Sequence, residues 1–509
     1  MRDNVISEPN DPAILKQRSV RGAAATFIGQ GLRFMLQLAS QVILARLLLP
    51  AEFGLVAMIG PVLSFVGIFN ELGLSQATVQ RPNITHQELS NLFWINIAVS
   101  TVLALLMCAV APLIAWFYGE PRLTAITMWL ALLLVIAGLS AQQLALMTRH
   151  MRFIPMATID VSCTLMAVAV GTISAWRGLG YWSLVLMQAA NGLTILVMSW
   201  AWSSWWPSWP KRASGTLSLL HFGSHMTGYN LVNFFSTNLD SVLIGKLGGS
   251  VSLGLYDRAF KLVAAPIWTI SLPVARVADS LLARLRAAPE RYCRAYILMF
   301  QMLLLITVPA VSFTAATAQT LVHFLLGSAW LAAAPIMAWL AIATGFAPLS
   351  ISASWLFVSQ DRAAEQTRFA VLRTALSIFV IIAGLPWGAV GVARSYAVFG
   401  LLVHGLPLWG ATRRGPVAMS HVARACGPFA VSGAMAMLAV HLVEGHMQAI
   451  GQSMALRLVG GGLTSYIACG ATLMCFPNGQ QFLRDIWLLR SIFRTSALAG
   501  NVKPEVSGG

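Results

Sequence analysis

Residues 42–56 read VILARLLLPAEFGLV, and residues 242–256 read VLIGKLGGSVSLGLY. Shifted by two hundred positions, Val42 falls on Val242, Arg46 on Lys246, Leu47 on Leu247, Gly54 on Gly254 and Leu55 on Leu255. Each stretch is an apolar run that meets a cation, passes through a short turn and resumes as a second apolar run. That is the pattern of a helical hairpin, written twice. Repetition at one fixed spacing marks an internal duplication. If an even number of spans separates the copies, they keep the same orientation, as parallel repeats about an axis along the membrane normal. Transporters built this way place the substrate between their halves.

The rest of the chain supports spans rather than a soluble core. Of 509 residues, 57% are hydrophobic and only 10% are charged, and the mean hydropathy is +0.73. A soluble domain carries about 25% charged residues to cover its surface, so the surplus apolar area here must face lipid. A span needs about 20 mostly apolar residues to cross a hydrocarbon core of about 30 Å. On that criterion the chain divides into about fourteen spans: 23–48, 53–75, 92–118, 124–147, 154–176, 179–202, 222–247, 253–275, 295–317, 330–357, 367–385, 388–409, 424–444 and 453–476. The repeated hairpins then join spans one and two, and spans seven and eight. The expected fold class is an all-α integral membrane protein of about 14 transmembrane helices, with two parallel six-helix repeats plus two extra helices.

The implied organisation is a cytoplasmic N-terminal tail (1–21), an N-lobe of spans one to six (22–202), and a cytoplasmic linker (203–221). A C-lobe of spans seven to twelve (222–410), spans thirteen and fourteen (424–476) and a cytoplasmic amphipathic tail (477–509) follow. No connection is long enough to house a soluble domain, so function must lie within the bundle. In the tail, Phe482, Leu483, Ile486, Leu489 and Phe493 recur at helical spacing among Arg484, Asp485, Arg490 and Arg494. This reads as an amphipathic helix on the membrane surface.

The net charge of +16 is distributed by topology. Alternate connections hold Lys16, Arg18 and Arg21; Arg81; Arg149 and Arg152; Lys211 and Arg212; Arg284, Arg286, Arg291 and Arg294; Arg362 and Arg368; Arg413 and Arg414; and Arg484, Arg490 and Arg494. The opposite set holds little beyond Arg46, Arg122, Arg177, Lys246 and Arg457. The positive-inside rule then places both termini in the cytoplasm. The same placement argues against a nucleic-acid partner, since no basic face is assembled. The six cysteines form no CxxC pair and read as small buried hydrophobes. The N-terminus is not a cleavable signal peptide, because some twenty polar residues precede a run too long for an h-region.

At the repeated hairpin the chain also becomes recognisable. VILARLLLPAEFGLVAM (42–58) resembles the first-hairpin signature of bacterial polysaccharide transporters. NELGLSQATVQRPNITHQELSNLFWIN (70–96) is similar to their following loop and third span. Counterparts of NLDSVLIGKLGGSVSLGLYDRAFKL (238–262), PERYCRAY (289–296) and GSAW…SWLFVSQ (327–360) keep the same order and spacing. The resemblance is to the Wzx-type flippases of the multidrug/oligosaccharidyl-lipid/polysaccharide exporter superfamily. It implies two six-helix lobes around a central cavity and alternating access. It also implies, as substrate, an undecaprenyl-pyrophosphate-linked repeat unit of exopolysaccharide, capsule or O-antigen, moved from the inner to the outer leaflet of a bacterial inner membrane. A coupling ion, membrane lipids and a polysaccharide polymerase with its export machinery are the implied partners. No cofactor and no enzymatic activity are implied.

Carrying a pyrophosphate and sugars through a low-dielectric core needs cationic and polar groups along the route. Arg33 lies mid-span in GLRFMLQLASQ, and Arg33, Gln37, Ser40 and Gln41 are spaced to share one helical face. The stripe reads either as a head-group contact or as a structural hydrogen-bond network. Arg258 and Lys261 also share a face, with Asp257 adjacent and Asp240 on the preceding span. They read as a cationic patch with Asp240 as counter-ion or ion-coupling carboxylate, or else as a structural ion pair. Arg394 is a third cationic candidate, unless it snorkels to the interface. Asp160 is a second ion-coupling candidate. Arg46 and Lys246 read as anchors of span ends at the outer interface.

Trp200, Trp202, Trp205, Trp206 and Trp209 read as an interfacial belt or a glycan contact. Pro266, Pro273 and Pro386 mark sites of helix bending. His441, Glu444 and His446 form HxxExH in an expected outer loop, which is not a standard zinc spacing. The Asn83-Ile84-Thr85 sequon would face the cytoplasm. No GxSxG, Walker loop or nucleotide signature is present. Two other functions remain open at this level. A cation-coupled multidrug exporter would favour acidic cavity residues, and a membrane polysaccharide polymerase or ligase would carry a sizeable catalytic outer loop.

Overall fold

The computed structural model describes residues 12–71, 78, 84–211 and 216–485. The first eleven residues, Arg81, Asn83 of the sequon, Arg212 and the amphipathic tail beyond Asp485 lie outside the described residues. Among the described residues every regular element is helical.

The order is α1 (Pro12–Leu47), α2 (Pro50–Glu71), α3 (His86–Tyr118), α4 (Arg122–Arg149), α5 (Phe153–Trp176) and α6 (Trp182–Trp202). A long bent helix, α7 (Thr216–Arg284), follows, then α8 (Pro289–Ala316) and α9 (Ala318–Leu326). A 3-10 turn (Ser328–Ala333) leads into α10 (Ala334–Thr344) and α11 (Ala347–Ser359), which together form one span-length segment. Then come α12 (Ala363–Gly384), α13 (Gly388–Val398), α14 (Gly400–Thr412), α15 (Met419–Ala449) and α16 (Met454–Met474). A last described helix, α17 (Pro477–Asp485), turns away from α16 by 112°.

Among the described residues, nine helical stretches are long and apolar enough to cross a membrane, or ten with the bent α16–α17 pair counted. One of the nine, Ala363–Thr412, holds two expected spans, and α7 holds two more outside that group. The protein is a multi-pass membrane protein, and its helices are consistent with fourteen spans. In α1, which also falls outside the group, Gln30, Arg33, Gln37 and Gln41 interrupt the apolar run.

The first hairpin breaks between Leu47 and Pro50. Proline suits a first helical turn, where its missing N–H has no intrahelical partner. The Glu52 carboxylate accepts the Leu49 N–H at 2.7 Å, satisfying one of the orphan donors at the start of α2. The second copy solves the same turn differently. Gly249 bends α7 with φ +72° and ψ −176°, a conformation essentially restricted to glycine.

The two copies also pack on each other reciprocally. A β-carbon on Gly54 would lie 1.7 Å from the Ser250 carbonyl oxygen, and one on Gly254 would lie 2.0 Å from that of Pro50. Pro50 and Ser250 are themselves related by the same shift as Gly54 and Gly254. Residues that correspond in sequence therefore exchange places in space, as a pseudo-two-fold requires. Here glycine is needed at both positions, because any side chain would drive the backbones apart.

The flanking cations follow the same logic. Arg46 donates to the Leu325 carbonyl at 3.4 Å, and Lys246 donates to the Phe117 carbonyl at the end of α3. Each cation thus meets the carbonyl end of a helix, where the dipole favours positive charge. Trp330, from the GSAW stretch, is fully buried; its indole donates to the Ala45 carbonyl at 2.7 Å and its ring meets the edge of Phe53.

The described residues fall into two compact units. One takes in the described residues up to Arg258 together with Leu325–Ala332 and Leu385–Ala389. Within it α1 packs along α5, α3 along α4, and α6 against α4 and α5. The other takes in Ala259–Phe324, Ala333–Gly384 and the described residues from Val390 onward, with α15 and α16 packed on α8 and α14 on α11 and α12. Its core is built on Tyr296, Phe300, Trp355, Phe357 and Phe429. Phe482 of α17 is buried against Phe429.

The start of the expected linker is an ordered strap on α3. Asn91 exchanges two hydrogen bonds with Lys211, and the Ser208 N–H donates to Ser90 at 3.0 Å. Of the tryptophans, Trp205 is buried against Phe93, whereas Trp209 stacks on Trp94 and is exposed. A second structural hub is Arg362, which donates to the Ala411, Gly410 and Arg414 carbonyls and pairs with Glu365 at 2.7 Å.

The HxxExH residues require a correction. They do not lie in a loop: α15 runs unbroken to Ala449, so His441, Glu444 and His446 sit on its last turns. A 31-residue helix outlasts the roughly 20 residues a membrane requires. Hydropathy alone ends the segment where the lipid ends, not where the helix does.

Candidate functional site

The polar stripe of α1 is set against α5. Helical geometry brings Arg33, Gln37, Ser40 and Gln41 to one side, and α5 approaches closely because Gly29 leaves room for Ala157, whose β-carbon would be 3.1 Å from a β-carbon at 29. Three residues on from Ala157, Asp160 faces Arg33 at 3.6 Å. Two residues singled out separately in the sequence are therefore one ion pair. Both side chains keep accessible surface, 38% for Arg33 and 40% for Asp160.

Arg33 and Asp160 stand just beyond direct hydrogen bonding, and both residues are half-buried. At 3.6 Å no direct hydrogen bond locks the pair together. Its partners are correspondingly free to exchange for others. Gln37 is exposed beside it, Ser40 is buried against the Met187 sulfur, and the Gln41 carbonyl oxygen is buried without a hydrogen-bond partner. The stripe thus presents a cation, a carboxylate, an exposed amide and an unsatisfied acceptor along two helical turns.

Asp240 sits elsewhere, buried in the first arm of α7. Its carboxylate accepts from the Tyr256 hydroxyl at 2.8 Å and from the Ser241 backbone N–H at 2.7 Å. Tyr256 comes from the second arm, so this bond ties the two sides of the hairpin. The sequence offered no signal for it, because sixteen residues and a turn separate the partners. Arg258 pairs with its neighbour Asp257 at 2.9 Å, and its guanidinium lies over the Phe53 ring, 4.4 Å from the centroid. The stacking stiffens an already planar group and links the second hairpin to the first.

Lys261 is exposed on the next turn and belongs to the second compact unit. In that unit Arg394 is exposed on α13, 5.7 Å from the Trp339 ring centroid. The structure therefore gathers Arg33, Gln37 and Asp160 into one constellation. It places Asp240 with Tyr256 and Arg258 with Asp257 and Phe53 in another.

Known proteins share both sequence and architecture with this chain. It is 27% identical over 338 residues to the teichuronic acid biosynthesis protein TuaB of Bacillus subtilis (strain 168), covering 65% of this chain and 69% of that protein. It is 22% identical over 389 residues to the lipopolysaccharide biosynthesis protein WzxC of Escherichia coli (strain K12), covering 75% and 78%. Among solved structures, the lipid II flippase MurJ in its inward closed conformation superposes with a TM-score of 0.70 at 14% identity, covering 89% of this chain and 98% of that one. An inward-facing multidrug resistance MATE family transporter of the MOP superfamily reaches 0.56 at 14% identity, covering 75% and 94%. At such identities the structures establish the transporter fold. The family assignment rests on sequence: residues 43–335, more than half of the chain, match the polysaccharide biosynthesis protein family, and the protein belongs to it.

Proposed function

We infer that this protein is a flippase that moves a lipid-linked oligosaccharide repeat unit of a bacterial surface polysaccharide from the inner to the outer leaflet of the cytoplasmic membrane. Undecaprenyl pyrophosphate is the carrier that suits the candidate cations Arg33, Arg258, Lys261 and Arg394. The isoprenoid tail stays in lipid throughout, so only the sugars and pyrophosphate need a polar route. The observation that carries the reading is the accessible Arg33–Asp160 pair on a polar face of a spanning helix. A pyrophosphate competes with Asp160 for Arg33. When it binds, Asp160 loses its counter-ion and becomes the group on which a coupling cation or proton is taken up. Release of the head group restores the pair. Arg258, Lys261 and Arg394 supply further positive charge for the phosphates, and Asp240 is the second carboxylate available for coupling.

The Arg-rich connections support cytoplasmic termini, and with them an outer position for the Gly54–Gly254 hairpin contact. Its closure and separation are then the outer half of alternating access. Lipid-linked glycan enters from the synthetic enzymes inside, and the product is handed to a polymerase outside. A drug exporter of the same fold is less well supported, since cations outnumber carboxylates among the candidate groups. The observations offer nothing specific for a polymerase.

The test uses spheroplasts from cells depleted of this protein and an impermeant sugar-modifying enzyme. Lipid-linked repeat units should accumulate protected from the enzyme and become accessible on re-expression. Accessible, unpolymerised glycan in the depleted cells would place the defect after translocation and sink the flippase reading in favour of polymerisation.

A further inference from the structure

Two of the HxxExH residues, His441 and Glu444, line a built pocket. Helix α9, the last turns of α15 and the first turn of α16 enclose a cavity of about 340 Å³ lined by Gln319, His323, His441, Glu444, Gln448 and Arg457, among others. Arg457 and Glu444 form a largely buried pair at 3.0 Å. The Arg457 Nη2 group also donates to the Thr320 hydroxyl at 2.9 Å and to the Gln448 side-chain oxygen at 3.0 Å. Thr320 in turn donates to Glu444. The other face of the guanidinium is different: Arg457 Nε is buried and has no hydrogen-bond partner. A buried donor without an acceptor is uncommon and costs about 1–3 kcal/mol. Nε is closed off from the cavity, so the polar groups a ligand meets are those at its rim.

The surroundings decide what kind of ligand. Glu444 already neutralises Arg457, so an anion would gain the arginine but meet the carboxylate. Among the described residues no group of three His, Cys, Asp or Glu side chains is placed to hold a metal ion. What remains is a set of paired donors and acceptors, with Gln319, Gln448 and His441 exposed at the rim. That array matches the alternating hydroxyls of a neutral sugar, and the volume suits one or two rings at the small end of ligand clefts. The helix ends that form it adjoin the arginine-poor set of connections, the side to which a flippase delivers its cargo.

We propose that this pocket is a saccharide site that holds one or two sugar residues of the glycan on the delivery side, with Gln319, Gln448 and His441 exchanging hydrogen bonds with the sugar hydroxyls. The proposal rests on the flippase reading for the source of the sugar, but not for the binding itself. His441 and His446 provide an internal comparison, because only His441 lines the pocket.

The experiment uses the full-length protein in detergent. The probe is the oligosaccharide released from the host's own lipid-linked pool by mild acid and freed of phosphate. Histidine modification by diethyl pyrocarbonate is read by mass spectrometry. The saccharide should slow modification of His441 several-fold and leave His446 unchanged, and Gln319→Leu should raise the half-protecting concentration roughly tenfold, one hydrogen bond's worth. Gln319 has an exposed side chain, so that variant tests binding without breaking the buried pair.

Protection by inorganic phosphate or pyrophosphate instead of the saccharide would make this an anion site and overturn the proposal. So would no protection at about 50 mM saccharide, a ceiling far above the millimolar scale of weak specific binding. If protection fails while the spheroplast assay shows translocation, the saccharide site falls and the flippase reading stands. If protection holds while translocation fails, the pocket stands and its assignment to a flipped glycan falls.

Discussion

Replacing Gly54 with alanine should separate the two repeated hairpins. The added β-carbon would lie 1.7 Å from the Ser250 carbonyl oxygen, with the Ser250 carbonyl carbon at 2.5 Å. Backbone cannot swing away as a flexible side chain does, so the hairpins must move apart. Overpacking of this kind costs about 1–3 kcal/mol, and only the conformation in which the hairpins touch bears it. Alanine also favours helix over glycine by up to about 1 kcal/mol. That gain accrues in both conformations and leaves their ratio unchanged. About 2 kcal/mol of selective destabilisation shifts the balance roughly 30-fold toward separated hairpins.

Gly254→Ala should act the same way, since its β-carbon would lie 2.0 Å from the Pro50 carbonyl oxygen. The double variant should be far less than additive, because hairpins already apart do not feel the second methyl. Spin labels at the exposed positions Leu49 and Val251, in a background with the native cysteines replaced, report the separation by electron–electron double resonance. A longer distance population should appear in each single variant and polymer export should fall. An unchanged distance distribution, or strictly additive effects on it, would refute the reciprocal-packing argument.

Two further outcomes follow from the polar groups. Arg33→Ala and Asp160→Ala should each abolish polymer export while leaving the protein inserted and abundant, because the two groups share no direct hydrogen bond; normal export from Arg33→Ala would remove the pair from the mechanism. Tyr256→Phe leaves the buried Asp240 carboxylate short of one hydrogen bond and should lower stability by about 1–3 kcal/mol, seen as a reduced melting temperature in detergent at unchanged membrane insertion.

Much of the architecture was legible in the chain itself. Solvent writes directly into composition: lipid requires long apolar runs, and the alternation of arginine-rich connections requires a topology. The duplication was legible because Gly54 and Gly254, and Arg46 and Lys246, kept their places through it. The chain also showed that Arg33, Gln37, Ser40 and Gln41 share a face, because helical periodicity is local. It could not show what that face meets. That Arg33 pairs with Asp160, that Tyr256 satisfies Asp240, and that Arg258 lies over Phe53 are decided by which helices pack together, and neighbours in space leave no mark at a fixed spacing in sequence. The same holds for Arg457, a lone cation in an apolar stretch until α9 and α15 bring Thr320, Glu444 and Gln448 to it. Periodicity assigns a residue to a face, and only tertiary packing decides what stands opposite.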